Sequence, residues 1–344
     1  MTSTSQARAG VALAFGLIVS GGGLSEARAQ TVTANVSSAC VLQGTSPIAK
    51  GTQLFDAASG GAPIARFTGN MVPMRMTELP ADPANGRAKL STSTGSGALR
   101  IEGYVDASVV PMFTTRDVPV MAGNVWIASG QKVRLVHGGP GALRVEKAVA
   151  GSRSQNVTGT TTCEGLALSL PQSAPPAPSI PQSARTFLTK NATTDIFDRP
   201  NGDAVFSLQM LEGSSQLFWS TETRAGFVHV TARADIVIDG WIRWRDLEPL
   251  KRGEMMGTDY RPHTPPAAAQ LVFEDPPRLA TAPKDIPVRA KRSEKAKPIG
   301  MVETGAQIYI METVAGWTNV LPKALHILPP EDGGFWIPAS DVPK

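Results

Sequence analysis

The chain has 344 residues, enough for two to three domains, and 33 basic residues against 29 acidic ones leave a net charge of only +4. The basic residues are scattered along the chain, and this argues against a nucleic-acid-binding face, which would gather them together. Past the first 30 residues, no stretch approaches the roughly 20 apolar residues that a membrane-spanning helix requires. We therefore expect a protein that is not integral to the membrane.

Residues 1–29 have the pattern of a secretory signal. Arg8 supplies the positive start, residues 9–20 are apolar, and Ala27-Arg28-Ala29 is a small-x-small cleavage site. The apolar stretch is too short to span a bilayer, although a buried N-terminal helix is the alternative. We expect a mature chain that begins at Gln30 and is exported to the periplasm or the extracellular space.

Two short motifs each occur twice in the chain. Leu54-Phe55-Asp56 recurs as Ile196-Phe197-Asp198, and Asp117-Val118-Pro119-Val120 recurs as Asp285-Ile286-Pro287-Val288. Repetition at this spacing predicts a small structural module that has been copied several times.

Four modules and two Pro-rich linkers follow from these repeats. The predicted boundaries are the first module at 44–110, the second at 111–170, a linker at 171–185, the third module at 186–250, a linker at 251–278 and the fourth module at 279–344, with 30–170 forming one N-terminal domain of two modules. Inside the modules, short β-branched and aromatic runs such as Phe227-Val228-His229-Val230 alternate with turn signals such as Asn201-Gly202. The predicted fold class is all-β.

The third and fourth modules carry one further ordered set of motifs. In the fourth module they are Val288-Arg289, Gly305, Gly316-Trp317-Thr318-Asn319-Val320, Trp336-Ile337 and Asp341-Val342, and in the third they are Gly213, Gly226-Phe227-Val228-His229-Val230 and Gly240-Trp241-Ile242. This order resembles the bacterial Src-homology-3-like domain family over 186–250 and 279–344, and less closely over 44–170. The resemblance implies tandem small β-barrels joined by Pro-rich linkers, in which Trp241, Trp317 and Trp336 are structural ring residues.

The two cysteines, Cys40 and Cys163, bracket the first two modules. An even number of cysteines in an exported chain favours a disulfide, and two unpaired buried thiols are the alternative. We predict a bridge that joins the first two modules, and we expect the third and fourth modules to move freely on their linkers.

Catalytic and metal-binding patterns are missing from the sequence. It contains no nucleophile elbow, no H-E-x-x-H helix and no phosphate-binding glycine loop, and its four histidines are far apart. Met71, Met74 and Met76 could together hold Cu(I), or they could fill an irregular core. We expect no enzyme activity, no cofactor and no metal, and an envelope hydrolase is the disfavoured alternative.

One loop of the fourth module is rich in positive charge. Its basic residues are Arg289, Lys291, Arg292, Lys295 and Lys297. In the family that the chain resembles, this long loop borders the peptide groove, so it could meet an acidic partner such as an anionic cell-wall polymer, or it could simply be solvated.

Two functions remain open. The chain could be an exported binding protein for peptides, peptidoglycan or another cell-wall polymer. It could instead be a structural or scaffolding protein of the bacterial envelope that binds an envelope protein and no small ligand.

Overall fold

The computed structural model describes residues 42–69, 72–80, 82–83, 85–92, 99–120, 123–138, 142–170, 179–251, 273–323 and 327–342. The predicted signal segment, Cys40, Met71 and most of both linkers lie outside these residues. The described residues form β-strands and four short 3₁₀ turns, without an α-helix. The all-β prediction is confirmed. No helix in the described part of the chain has the length and apolar character needed to cross a bilayer.

The first two modules contain thirteen of the described strands. The first module contains β1 (Ser46–Ile48), β2 (Gln53–Phe55), β3 (Pro63–Phe67), β4 (Val72–Glu78), β5 (Arg87–Thr92), β6 (Leu99–Asp106) and the 3₁₀ turn η1 (Ala107–Val109). The second contains β7 (Met112–Thr114), β8 (Val118–Pro119), β9 (Val125–Ile127), β10 (Lys132–His137), β11 (Leu143–Ala148), β12 (Asn156–Thr161), η2 (Cys163–Gly165) and β13 (Leu166–Ala167).

The last two modules contain seven described strands each. The third contains β14 (Arg185–Thr189), β15 (Thr193–Phe197), β16 (Ala204–Gln209), β17 (Leu217–Arg224), β18 (Phe227–Arg233), β19 (Ile236–Arg243), η3 (Trp244–Asp246) and β20 (Leu247–Pro249). The fourth contains β21 (Arg278–Thr281), β22 (Ile286–Arg289), β23 (Pro298–Val302), β24 (Gln307–Val314), β25 (Trp317–Pro322), β26 (Ile327–Leu328), β27 (Trp336–Pro338) and η4 (Ala339–Asp341).

All four modules share one antiparallel connectivity. In the third module, β14 pairs with β17, the strands β17, β18 and β19 form a meander, and the β15–β16 hairpin crosses to β19. The first module repeats this with β1–β4, the β4–β5–β6 meander and a β2–β6 crossing, and the fourth with β21–β24 and a β22–β27 crossing. In the second module, the β7–β10 pair corresponds to β14–β17, and a bridge from Val120 to Gly159 corresponds to the crossing of the hairpin.

Glycine permits the close crossing of strands in three of the modules. A Cβ at Gly103 would lie 2.7 Å from the carbonyl oxygen of Phe55, and a Cβ at Gly240 would lie 3.1 Å from that of Phe197. A Cβ at Gly159 would likewise lie 2.9 Å from a carbonyl oxygen. The absence of a side chain at these positions therefore allows the first hairpin to lie across the long strand.

Alternating side chains build the core of each module. Strands β6 and β19 both alternate strictly between buried and more exposed residues, so one face of each strand is buried. Met74 and Met76 both point into the core of the first module and are buried. This placement matches the core-filling interpretation of the methionine cluster.

The modules dock on one another through edge strands. Strand β9 of the second module pairs with β19 of the third, where Ile127 lies opposite Ile236. Strand β23 of the fourth module pairs with β6 of the first, where Val302 lies opposite Leu99. We call the first and third modules the acceptors and the second and fourth the donors. The expectation that the third and fourth modules move freely was wrong, because a hydrogen-bonded ladder fixes each of them to a neighbour.

The two repeated motifs coincide with these two roles. The Leu54 and Ile196 motifs lie in acceptors, and the Asp117 and Asp285 motifs lie in donors. The docking is the same in both pairs, since the second hairpin strand of the donor adds to the first half of the acceptor's long strand. The sequence therefore contains two kinds of module in the order acceptor, donor, acceptor, donor.

Candidate binding sites

The predicted cationic loop connects β22 and β23. Arg289 ends β22 and donates from Nη1 to the carbonyl oxygen of Ala296, and this bond closes the base of the loop. The guanidinium of Arg292 lies 5.1 Å from the ring centre of Trp336, which is buried. Both arginines thus make contacts within the module, and their role in binding stays a prediction.

The three lysines of this loop differ in their surroundings. Lys291, Lys295 and Lys297 are all exposed, but Lys291 and Lys297 line a cleft between the fourth and first modules and Lys295 does not. This inter-module cleft has a volume of about 300 Å³ and is lined by Asp56, Ile64, Lys89, Glu102, Gly103, Tyr104, Ala290, Lys291, Ala296, Lys297, Pro298 and Ile299.

A second cavity lies on the third module, and sequence reasoning did not assign it. This aromatic groove has a volume of about 600 Å³ and is lined by Phe197, Asn201, Gly202, Gly226, Phe227, Arg243, Trp244 and Arg245. Phe197 and Phe227 meet edge to face at 5.4 Å between ring centres and form an apolar base.

Three local turns position the walls of the aromatic groove. The tip of the β15–β16 hairpin brings Asn201, and the tight turn before β18 brings Gly226, whose φ is +77°. The backbone N–H of Trp244 donates to the carbonyl oxygen of Gly226 at 2.9 Å, which fixes η3 against that turn. The turn before β18 therefore fixes the position of Trp244.

Trp244 is the exposed ring of the groove. It is 37% exposed and packs edge to face on the buried ring of Phe187, with 5.5 Å between ring centres. The guanidinium of Arg185 lies 5.3 Å from the indole centre. The indole is thus supported by Phe187 from the core and flanked by Arg185, and only part of it faces solvent.

Two arginines add positive charge to the aromatic groove. The guanidinium of Arg243 lies 4.6 Å from the ring centre of Phe197. Arg245 is largely exposed, and its contact with Asp246 is long, at 4.0 Å. Asp246 also accepts a hydrogen bond from the side-chain amide of Asn191 at 2.9 Å. Arg245 is therefore only weakly neutralised and can meet an anionic ligand group.

The aromatic groove distinguishes the third module from its copies. The first residues of the four 3₁₀ turns, in chain order, are Ala107, Cys163, Trp244 and Ala339. Among these turns an aromatic ring occurs only in the third. The sequence signal for this groove is Trp244, the second tryptophan of Trp241-Ile242-Arg243-Trp244, which lies just after the Gly240-Trp241-Ile242 motif.

The tryptophans predicted to be structural lie at related positions. Trp241 pairs with Phe197 and His229, while Trp336 pairs with Arg289 and Asn319, and these are the same three strands of two modules. Trp336 is buried and Trp241 is half-buried beneath His229, with 4.9 Å between ring centres.

Trp317 is half-buried at the start of β25, where it occupies the position that Phe227 has in the third module. Each of the three predicted tryptophans therefore has an aromatic residue at the matching position of another module.

The histidines do not converge. The Nε2 atom of His229 lies 2.9 Å from Asp239, His137 is exposed, and His263 and His326 lie outside the described residues. In the described ranges no three His, Cys, Asp or Glu residues are arranged to hold a metal ion.

The cysteine pairing stays a prediction, because Cys40 lies outside the described residues. Cys163 is half-buried in η2, and no described cysteine is a free thiol. Nearby, Gln43 forms a parallel bridge with Ala167, and the N–H of Leu168 donates to the carbonyl oxygen of Gln43 at 2.8 Å. The beginning of the first module therefore runs beside the end of the second.

Comparison with known proteins assigns no family to the chain. No protein-family model and no curated protein matches the chain. Among solved structures, NlpC1 from Trichomonas vaginalis is similar at 13% identity and a TM-score of 0.17, over 48% of this chain and 47% of that one. NlpC2 from the same organism is similar at 11% identity and a TM-score of 0.17, over 46% and 48%. The chain thus spans about half the length of these structures, and TM-scores this low assign neither fold nor activity.

Proposed function

We propose that the chain is an exported, non-enzymatic binding protein and that the aromatic groove of its third module binds an extended peptide or cell-wall segment carrying a carboxylate. The observation that carries the proposal is the exposed ring of Trp244 beside Arg243 and Arg245. An aromatic surface packs against the apolar parts of an extended chain, and a guanidinium pairs with a carboxylate through two parallel hydrogen bonds.

The location of the groove supports this proposal. It lies between the tip of the first hairpin, the turn before β18 and the 3₁₀ turn. In the family that the chain resembles, the loop of the first hairpin borders the peptide groove. A cell-wall polymer that presents short peptides with free carboxylates, such as peptidoglycan, has the chemistry that this groove fits. Export, expected from residues 1–29, would bring the protein to that polymer.

The lining of the groove is suited to binding and not to catalysis. Its polar side chains are Asn201, Arg243 and Arg245, and a guanidinium stays protonated at any physiological pH. General acid–base catalysis requires a group that gains and loses a proton near the working pH. The chemistry of the described lining residues therefore favours binding of a ligand over acid–base catalysis.

The experiment is retention on insoluble peptidoglycan, followed by calorimetry with a soluble peptide fragment of it. We expect the native chain to be retained, and Trp244→Ala and Arg245→Gln each to weaken binding at least tenfold. The matched control is Arg144→Gln, because Arg144 is exposed on the second module away from the groove. Passage of the native chain without retention, or equal losses in the control, would overturn the proposal.

A scaffolding role in the envelope is the second candidate function. It is favoured by the docking of both donors, because that arrangement uses edge strands to fix modules in place and not to hold a ligand. A scaffold would pass through peptidoglycan and would instead co-purify with a defined envelope protein in a complex that Trp244→Ala leaves intact.

A further inference from the structure

The β9–β19 and β23–β6 docking ladders match in register, but the hairpins that carry them differ in length. In the second module, four residues (121–124) separate the matched positions Val120 and Val125. In the fourth module, eleven residues (289–299) separate the corresponding Val288 and Gly300. The cationic loop is thus an insertion of seven residues into a hairpin whose docking strand is otherwise unchanged.

The short hairpin closes its interface directly. The side-chain amide of Asn124 donates to the carbonyl oxygen of Asp239 at 2.8 Å, and the N–H of Asp239 donates back to the carbonyl oxygen of Asn124 at 3.0 Å. Next to this contact, His229 and Asp239 pair at 2.9 Å. The interface between the second and third modules is therefore sealed at this point.

The long hairpin leaves the inter-module cleft at the corresponding place. Lys89 and Glu102 of the first module occupy the positions of His229 and Asp239, yet they form no ion pair with each other. Ala290, Ala296 and Pro298 of the inserted loop form the opposite wall together with two lysines. The cleft is therefore a consequence of the insertion, and the matched interface in the same chain shows how the surfaces meet without it.

Charge in the inter-module cleft is unbalanced. Lys89, Lys291 and Lys297 have no ion-pair partner among the described residues. Of its two carboxylates, Glu102 is paired with an arginine of its own strand at 3.3 Å, whereas Asp56 accepts only the neutral N–H of Ala62 at 2.9 Å and keeps its charge. Three ammonium groups thus line a small cavity against one carboxylate that has no cationic partner elsewhere in the described part of the chain, and positive charge is in excess.

We propose that the inter-module cleft is a second binding site, which takes a small ligand with a carboxylate or phosphate group and a short apolar part. The lysines would hold the anion, and Ile64, Tyr104 and Ile299 would contact the apolar part. A volume of about 300 Å³ is at the lower end of ligand sites, which limits the ligand to about the size of a dipeptide. The site requires both modules and is independent of the aromatic groove.

The test is calorimetry of the full chain with three probes: N-acetyl-dialanine, its C-terminal amide, and inorganic phosphate. We expect the free acid, phosphate or both to bind, the uncharged amide not to bind, and Lys89→Gln and Lys297→Gln each to weaken binding at least tenfold. The acid and phosphate arms distinguish a carboxylate ligand from a phosphate ester. Lys132→Gln is the control, because Lys132 is exposed on the second module.

Two further variants separate this site from the aromatic groove. Trp244→Ala should leave anion binding unchanged, and the two lysine variants should leave peptidoglycan retention unchanged. Binding of neither anion, measurable binding of the uncharged amide at the affinity of the acid, or wild-type affinity in the lysine variants would overturn the proposal. Loss of anion binding in Trp244→Ala would move the binding to the groove and would overturn it as well.

Discussion

Asp117 shows how a single side chain can both cap a turn and dock a module. Its carboxylate accepts the N–H of Ser129 at 2.8 Å within the donor and two hydrogen bonds from Arg233 of the acceptor, at 2.6 and 2.9 Å. Burial alone would raise the pKa of Asp117, but the Arg233 guanidinium and the Ser129 N–H together outweigh it and lower that pKa below its usual value. The carboxylate is therefore held in its charged form at the interface.

The repeated aspartate of the fourth module is held in a similar way. Asp285 accepts hydrogen bonds from the N–H and the hydroxyl of Thr304, both at 2.8 Å, and these bonds lower its pKa. Arg100 of the first module adds a smaller attraction. The aspartate that opens the D-x-P-V motif thus accepts a backbone N–H within its own module in both donors, whereas only Asp117 also forms an ion pair across the interface.

We expect Asp117→Asn to destabilise the chain at pH 7 by about 1 kcal/mol, a modest figure because both partners are about one-third exposed. The folded-state pKa of Asp117 is lowered, so its stabilisation is complete above the unfolded value of about 3.9 and is lost as the pH falls through the folded value. Urea unfolding from pH 7 to pH 2.5 measures this, with exposed Asp203→Asn as control. A stability difference between the variant and the native chain that stays constant with pH would contradict the assignment.

The sequence predicts the roles of some individual residues and not of others. Gly213 and Gly305 each precede a strand and have φ near +80°, as their position in the pattern indicates. Trp244 could not be assigned, because its value as a ligand-facing ring depends on the absence of an aromatic residue in the matching turns of three other modules. That comparison requires a register that is visible only in the folded chain.

Strands and hairpins follow from local pattern, whereas module pairing does not. The alternation of Ile236, Ile238 and Ile242 already indicates the buried face of β19. Nothing local states that β9 will lie against it, because an edge strand offers the same backbone groups to any partner of suitable shape. The tandem order of the modules suggests contacts between neighbours in sequence, yet the first acceptor docks with the last donor.

We predict a Cys40–Cys163 disulfide that ties the beginning of the first module to the end of the second. Gln43 and Ala167, which are bridged, lie within four residues of the two cysteines along the chain. On the chain-entropy model, closing a loop of this length stabilises the fold by about 5 kcal/mol. A thiol-reactive reagent should find no reactive cysteine in the exported native chain, and reduction should lower the urea midpoint. Two reactive thiols would refute the bridge.

The four modules form a circuit and do not extend as a string. The first and second follow one another directly along the chain, β9 joins the second to the third, and β23 joins the fourth back to the first. Each acceptor presents the first half of its long strand to one donor, so both of these edges are covered. Donor docking thereby creates the inter-module cleft while leaving the aromatic groove of the third module open.

The β6–β23 ladder can be broken at one residue. A Cβ at Gly300 would lie 2.0 Å from the backbone carbonyl oxygen of Arg100 across this ladder, whereas β9 has a valine, Val125, at the matching position. Gly300→Val should therefore break the β6–β23 ladder, because backbone atoms cannot give way as a flexible side chain would. The second ladder between these modules, β26–β3, and the docking of the second module on the third should remain.

Hydrogen exchange measures this directly. In Gly300→Val, the amides of residues 99–101 should lose protection at least tenfold, and those of 236–238 should keep it. The same variant should weaken anion binding at the inter-module cleft, since the β6–β23 ladder brings its two walls together. Glu294→Val, at the exposed tip of the same loop, is the control and should leave the exchange unchanged. Unaltered protection of 99–101 in Gly300→Val would contradict the prediction that this ladder requires a glycine at 300.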